Sequence, residues 1–262
     1  MSFLDSIVDV GKSVGKFFTG GSAAGNLASS VVTLVGMGFL ASQLSKNTNA
    51  DTTSDTPATV NIDNGVRLQV EASASNKVPV LYGEAYFGGI ITDAYMSSDA
   101  LTMYYCLTLS ERTGNLLSTG AASTYTFKDI HWNDQRVIFK PDGITVDYTV
   151  DRSGNVDRSL GGLVKIYCYA GNSNLPQVPQ GYTNASLPAA YDLMPNWTVD
   201  HDMNDLIFAV VEVTYSQANG VDGLGNVIFQ VQNSMSLPGD VLYDYMKSER
   251  YGAGIATAEI LA

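Results

Sequence analysis

The sequence predicts a mainly β protein with N-terminal helices, in which an antiparallel sandwich or barrel-like domain is followed by a short C-terminal helix. After residue 65, apolar residues recur with a period of two in short runs that clusters of Gly, Asn, Asp and Pro separate. Before residue 46 the apolar period is helical. Charged residues make up only 15% of the chain, against roughly a quarter in most globular proteins, and 15 tyrosines are among their replacements.

These changes of pattern divide the 262 residues into five parts. They are a short amphipathic helix (1–20), an uncharged helix (21–45), a polar linker (46–64), a β-rich domain (65–237) and a C-terminal helical segment (238–262).

The first part has the apolar spacing of a short coiled coil. Its apolar residues alternate in steps of four and three, and they are Phe3, Ile7, Val10, Val14 and Phe17. Two heptads that contain Gly11 and Gly15 are only marginally stable as a lone helix. We therefore expect this helix to pack against other helices, copies of itself included.

No charged residue occurs between Phe17 and Ser45. The apolar stretch Leu27–Leu44, which includes Leu34 and Phe39, is long enough to cross a bilayer, but Ser, Thr, Gln and Gly interrupt it. Three interpretations stay open: a helix buried at the centre of an oligomer, a segment that meets a membrane, and a loose linker. Residues 46–64 are polar and turn-prone, which predicts an extended linker.

Six runs predict the strands of the β-rich domain. They are ALTMYYCLTLSE, YTFKDIHW, VIFKPDGITVDYTV, GGLVKIYCYAG, LIFAVVEVTYS and NVIFQVQ. The segment Gly171–Asn204 contains four prolines and is too long for an idle connection. It is expected to pack on a neighbouring molecule or to be partly ordered by itself.

The C-terminal helix is predicted to begin at Pro238 and to end before Gly252 and Gly254. Its expected apolar face consists of Val241, Leu242, Tyr245 and Met246.

Charge and cysteine content restrict the kinds of ligand. The net charge of −12, with only 14 Lys and Arg and no basic cluster, argues against a general phosphate-binding surface, and we expect no sequence-specific binding of nucleic acid. Cys106 and Cys168 lie in strand-like runs and are expected to be buried free thiols rather than a disulfide.

No motif for catalysis or for a cofactor stands out. His201 lies among aspartates, but no second cluster of His or Cys supports a zinc site. The run DRSGNVD (Asp151–Asp157) alternates oxygen-bearing residues and lacks the glutamate of a calcium loop, so a hairpin turn is the better interpretation. His131, next to Trp132, is expected to be structural. We therefore predict no enzyme activity, no cofactor and no metal.

The run VPVLYGEAYFGGIITDAYM (Val78–Met96) is rich in glycine, but a β-type run rather than a helix follows Gly88 and Gly89. Such a loop offers no helix N-terminus to a phosphate. We expect a structural strand pair, in which Pro79, Tyr82, Gly83 and Gly88 shape the turn and allow close packing.

Three segments together resemble one family. The segments are VPVLYGEAYFGGIITD, then CLTLSERTGNL with FKDIHWNDQRVIF, and then LPGDVLYDYMKSERYGAGI. In order and spacing they are similar to the hub domain of tail tip proteins of tailed bacteriophages. This group includes the lambda-type host-specificity protein and the large tail proteins of gene transfer agents. The similarity covers about Val78–Ile255. Trp132 belongs to the second segment, and Tyr243, Tyr251 and Gly252 belong to the third.

The resemblance implies a structural protein of the virion, a trimeric hub that closes the distal end of the tail tube. Its partners would be tail tube or distal tail proteins above, fibre or receptor-binding proteins below, and transiently the host membrane. Family members are usually several times longer, so other chains or segments are expected to recognise the receptor. The alternatives are a membrane-anchored β-domain protein of the envelope, with Leu27–Leu44 as anchor, and a cell-wall hydrolase of the tail.

Overall fold

The structure is a computed structural model that describes residues 66–67, 76–183 and 186–260. The predicted N-terminal helices and the linker lie outside the described residues. Outside them, too, lie seven of the predicted interface residues: Phe3, Ile7, Val10, Val14, Phe17, Leu34 and Phe39.

The described part is mainly β, as predicted. Its strands are β1 Val66–Arg67, β2 Glu84–Phe87, β3 Ile90–Met96, β4 Thr102–Glu111, β5 Tyr125–Trp132, β6 Gln135–Phe139, β7 Val146–Val150, β8 Val156–Asp157, β9 Val164–Gly171, β10 Pro176–Gln177, β11 Leu206–Thr214 and β12 Val227–Asn233. Its helices are α1 Ala190–Leu193, a 3-10 turn at Gln217–Asn219, α2 Pro238–Lys247 and α3 Thr257–Ile260.

The strands form two sheets. One has the order β1-β2-β12-β5-β6-β7-β8 and the other the order β10-β9-β11-β4-β3. Pairing is antiparallel apart from β1 with β2. The inward residues of both sheets, for example Phe127 and Phe229 from one and Leu107 and Ile166 from the other, belong to a single buried cluster. The alternation seen in the sequence thus places one side of each strand in a common core.

The VPVLYGEAYFGG segment differs from the predicted strand pair. β2 pairs with β12 in the seven-stranded sheet, whereas β3 pairs with β4 in the other sheet. Gly88 and Gly89 therefore carry the chain from one sheet to the other. Gly88 is buried, but the positive φ of +74° is at Gly89, where a Cβ would lie 2.9 Å from Leu109 Cδ2.

The described residues of the long segment after β9 pack on the chain's own β domain, in line with the expectation that the segment is partly ordered by itself. With α1 and β10 it covers the outer face of the five-stranded sheet and buries a second cluster that includes Tyr169 and Phe208. The rings of these two residues stack with their centroids 4.8 Å apart. Trp197 Nε1 donates to Asp93 Oδ2 at 2.6 Å, which fixes the segment to β3.

Two turns interrupt what the sequence presents as longer runs. The run VIFKPDGITVDYTV splits into β6 and β7, because Asp142 accepts hydrogen bonds from the backbone N–H groups of Ile144 and Thr145. DRSGNVD is a turn between β7 and β8, in which Asp151 Oδ1 accepts from the N–H groups of Ser153 and Asn155. The turn interpretation of this acidic run is confirmed.

Both cysteines are buried free thiols, as predicted. Cys168 belongs to the cluster between the sheets, and Cys106 belongs to the cluster under the long segment. β4 and β9 flank β11 on opposite sides, so the two residues are roughly 10 Å apart, which is too far for a disulfide.

We expect the free energy of unfolding to fall as the pH rises above about 9. Burial raises the pKa of Cys106 to about 12 and also raises the pKa of Cys168 above its ordinary value. The unfolded chain releases these protons near its ordinary thiol pKa while the folded chain keeps them. The stabilisation is therefore complete below that pH and is lost above it, by roughly 2–3 kcal/mol per pH unit for two thiols. Urea unfolding from neutral to alkaline pH measures the slope, and a double Cys106→Ala and Cys168→Ala variant with the same slope would contradict the assignment.

Candidate functional site

The C-terminal helix α2 is attached to the β domain by carboxylates. Asp244 is only 6% exposed. Its Oδ2 accepts hydrogen bonds from Tyr82 OH and Tyr251 OH, each at 2.8 Å, and its Oδ1 accepts one from Gly114 N at 2.9 Å. One turn earlier, Asp240 accepts from the N–H of Ser118 at 3.0 Å and from its hydroxyl at 3.1 Å. The helix is therefore fixed by charge-assisted hydrogen bonds.

The three segments that carry the family resemblance meet at Asp244. Tyr82 belongs to the first segment and Gly114 to the second, while Asp244 and Tyr251 belong to the third. They are separated by up to 169 positions in the chain, from Tyr82 to Tyr251. We call these four residues the Asp244 cluster.

The tyrosines of the Asp244 cluster act as hydrogen-bond donors. Burial, followed by the hydrogen bond to Asp244, raises the pKa of Tyr82 well above its ordinary value, and the same two causes raise the pKa of Tyr251. Both hydroxyls thus keep their protons at neutral pH and donate them to one carboxylate oxygen.

The apolar residues predicted on α2 are not its buried side. Asp240 and Asp244 are the buried residues of the helix, whereas Leu242 is 60% and Tyr245 is 50% exposed. Val241 and Met246 are half-buried. The two aspartates accept hydrogen bonds from backbone N–H groups and hydroxyls on the domain surface. These hydrogen bonds, and not burial of the apolar residues, determine which side of the helix faces the domain.

A buried amide network lies beneath the Asp244 cluster. Asn233, at the end of β12, is 1% exposed. Its Nδ2 donates to Leu81 O at 2.7 Å and to Thr113 Oγ1 at 2.9 Å, and it lies 3.2 Å from Tyr125 OH. Its Oδ1 accepts from Met235 N at 2.9 Å. Asn233 thus joins the end of β12 to the loops that hold Tyr82 and Gly114.

An ion pair secures the chain beyond α2. Arg250 NH2 lies 2.6 Å from Glu111 Oε2, a buried oxygen that has no hydrogen bond of ordinary geometry. Arg250 NH1 also lies 3.6 Å from Asp205 Oδ2. The guanidinium is half exposed, so the ion pair by itself contributes little to stability. Its main role is to compensate the negative charge of the buried Glu111 oxygen.

The structure brings together some of the predicted residues and separates others. Tyr82 and Tyr251 belong to the Asp244 cluster, and Gly83, with φ +71°, exchanges backbone hydrogen bonds with Asn233 and Met235. Pro79 O accepts from Glu111 N at 2.8 Å. Tyr243 lies on α2, with Lys247 Nζ 5.8 Å from its ring centroid.

Trp132 is not part of this site. It lies at the opposite end of β5 from Tyr125, where its ring packs on Gly225 in the core.

The site residues predicted from the sequence did not include Asp244, Asp240 or Asn233. The signal that could have found the two acids is their spacing of four residues, which places Asp240 and Asp244 on one side of a helix that begins at Pro238. No such signal points to Asn233.

Gly252 is required by a close approach of two backbones. A Cβ at this position would lie 1.9 Å from Tyr245 O, the carbonyl to which Ala253 N donates at 2.9 Å. The chain therefore turns back against the last turn of α2.

We expect Gly252→Ala to detach the chain after α2, because the added methyl overlaps backbone that cannot move without loss of the return hydrogen bonds. Hydrogen exchange of residues 251–260 should increase by about fivefold to a hundredfold, since overpacking typically costs roughly 1–3 kcal/mol. Gly239→Ala on the same helix is the control, because nothing lies within 4 Å of its Cβ position. Equal exchange in the two variants would contradict the role of Gly252.

No group of three or more His, Cys, Asp or Glu side chains in 76–183 and 186–260 is arranged to hold a metal. The acidic stretch at His201 forms local turns, in which His201 Nδ1 accepts from Thr198 N and Asp202 accepts from Asn204 N. Within the same residues, no helix has the length and the apolar character that crossing a bilayer needs. Burial lowers the pKa of His131, whose ring lies 6.2 Å from that of Tyr86 on the outer face of the sheet.

No protein-family model matches the chain, and no curated protein is significantly similar to it.

Proposed function

We propose that the chain is a structural protein of a bacteriophage virion, the hub of the tail tip or baseplate. The observation that carries the proposal is the Asp244 cluster. Three segments resemble the tail-hub family in order and spacing, and they contact one another around a single buried carboxylate. A set of motifs that is specific to one fold is expected to consist of residues that are distant in sequence and meet in the structure.

In this proposal the β domain forms a trimeric ring around the tail axis. The ring contacts tail tube or distal tail proteins on one side and fibre or receptor-binding proteins on the other. It has no catalytic role, and its net charge of −12 lets DNA pass without specific binding. The protein is made in the host cytoplasm and acts in the virion, in host attachment and genome ejection.

The proposed N-terminal helices occupy the lumen of the ring. Residues 3–17 have coiled-coil spacing, and residues 21–45 have no charge, so both suit the centre of an oligomer. On infection the uncharged helix is released toward the host membrane. A peptide of residues 17–45 should float with liposomes, and a Leu34→Asp and Phe39→Asp peptide should not, because each charge costs about 3 kcal/mol in the bilayer. Failure of the unmodified peptide to bind would remove the membrane step and leave the hub assignment intact.

The oligomeric state tests the hub proposal. Light scattering of the full chain at micromolar concentration should give about 84 kDa, three times the 28.0 kDa of one chain. A monomer over this range would count against the proposal.

A further inference from the structure

The outward side of α2 is apolar, which reverses the usual polarity of a surface helix. Pro238, Leu242 and Tyr245 are exposed and follow one another in steps of four and three, so they lie on one side of the helix. Met246 borders them and is half-buried, and Leu237, just before the helix, is 59% exposed. We call these five residues the outer face of α2. The buried side of the same helix holds Asp240 and Asp244.

The size of the outer face indicates what can cover it. Its three most exposed side chains offer roughly 300 Å², since a large side chain has about 150–250 Å² in full. A stable contact between separate proteins needs about 800 Å² on each side. A second copy held by this face alone would therefore bind weakly. A segment of the same chain would bind well, because its effective concentration is in the millimolar range.

Residues 3–17 have the matching pattern. Ile7 and Val10, like Leu242 and Tyr245, are three positions apart, and in each case another apolar residue, Phe3 or Pro238, lies four positions before the pair. Two helices with this common spacing pack side by side through their apolar stripes. The outer face is about two turns long, so a helix of fifteen residues covers it fully.

The N-terminal part joins the domain close to α2. β1 runs parallel to β2, with Val66 beside Tyr86. Tyr86 is four residues from Tyr82, whose hydroxyl contacts Asp244. Residues 18–65, 48 in number, connect the two parts, and a flexible chain of that length spans roughly 40 Å on average. This is ample for residues 3–17 to reach the outer face.

We infer that residues 3–17 dock on the outer face of α2 in the same chain. The contact needs no second subunit and no other virion protein, so it belongs to the chain before assembly. Packing of residues 3–17 in the lumen of an assembled ring uses the same apolar side and would replace this contact. The contact stores the amphipathic segment on the domain, and it covers the exposed apolar side of α2 with the apolar residues of that segment.

Disulfide trapping in the full chain tests the inference. Cys106 and Cys168 are buried, so new cysteines will dominate the reaction with a mild oxidant such as diamide. Val10→Cys with Leu242→Cys should close an intrachain disulfide at least about tenfold faster than Val10→Cys with Val156→Cys, in line with the effective concentration of a docked contact. Val156 is the matched control, because it is also an exposed valine-sized position, 54% exposed, at the far edge of the seven-stranded sheet.

Two outcomes would overturn the inference. Equal rates for the two pairs would mean that the outer face is free or is covered by another molecule. A disulfide formed mainly between tagged and untagged chains in a mixture would assign the face to a second copy.

Hydrogen exchange gives a second readout that does not depend on cysteine geometry. Leu242→Asp with Tyr245→Asp should speed amide exchange in residues 3–17 by tenfold or more. It should leave the melting temperature of the β domain unchanged, because both side chains are exposed. Unchanged exchange in residues 3–17 would also contradict the inference.

Discussion

Replacing Asp244 with alanine should detach α2 and the chain after it from the β domain. Three hydrogen bonds to a carboxylate are lost, and the part-buried hydroxyls of Tyr82 and Tyr251 lose the oxygen that accepts from them. Hydrogen bonds to a charged group contribute about 1.5–3 kcal/mol each, but contributions to the same carboxylate are not additive. We therefore expect the free energy that holds the helix on the domain to fall by about 3 kcal/mol. Hydrogen exchange of residues 237–260 measures this loss, as an increase of about a hundredfold.

Matched variants separate the contribution of the hydrogen bonds to Asp244 from the contribution of its negative charge. Asp244→Asn keeps an acceptor for Gly114 N and loses the charge, so its effect should be intermediate. Asp240→Ala should cost about 1 kcal/mol, because its partner Ser118 is exposed and can bond to water. Glu249→Gln removes an exposed charge just after the helix and should change nothing. If Asp244→Ala behaved like Glu249→Gln, the Asp244 cluster would not hold the helix.

Replacing Asn233 with leucine should destabilise the whole β domain rather than α2 alone. The substitution leaves Leu81 O and Met235 N buried without the amide that each now contacts. An unsatisfied buried polar group costs about 1–3 kcal/mol, so we expect a loss of about 3–4 kcal/mol in the free energy of unfolding, measured by urea titration. Gln232→Leu, on the exposed face of the same strand, should stay within about 0.5 kcal/mol. Similar losses for both would mean that the network has no special role.

Much of the β architecture could be predicted from the sequence, because burial of one strand face imposes a period of two. The run YTFKDIHW is β5 without a change of boundary, and LIFAVVEVTYS contains β11. The pairing could not be predicted, since alternation identifies a face but no partner. For this reason β2 and β3 were expected to form a pair, although they belong to different sheets.

The candidate site shows where local patterns fail. Tyr82, Gly83, Tyr251 and Gly252 could be selected because Tyr and Gly at turns are conspicuous in the sequence. The carboxylate that joins the two tyrosines could not be selected in this way. An apolar stripe predicts which side of a helix is buried only where the polar side has no better partner than water. Here the domain offers hydrogen-bond donors to the acidic side of α2, and these are Gly114 N, Ser118 and two tyrosines.

Imaging of virions tests most directly the proposal that the chain is a threefold hub at the distal end of a phage tail. Virions released by the genome that encodes the chain should be imaged by electron cryomicroscopy, with and without a gold-labelled antibody against the β domain. We expect three copies of the two-sheet domain around the tail axis at the tip, with α2 of each copy attached through Asp244. Particles that lack the chain, or that carry it anywhere other than around the axis at the tip, would contradict the claim.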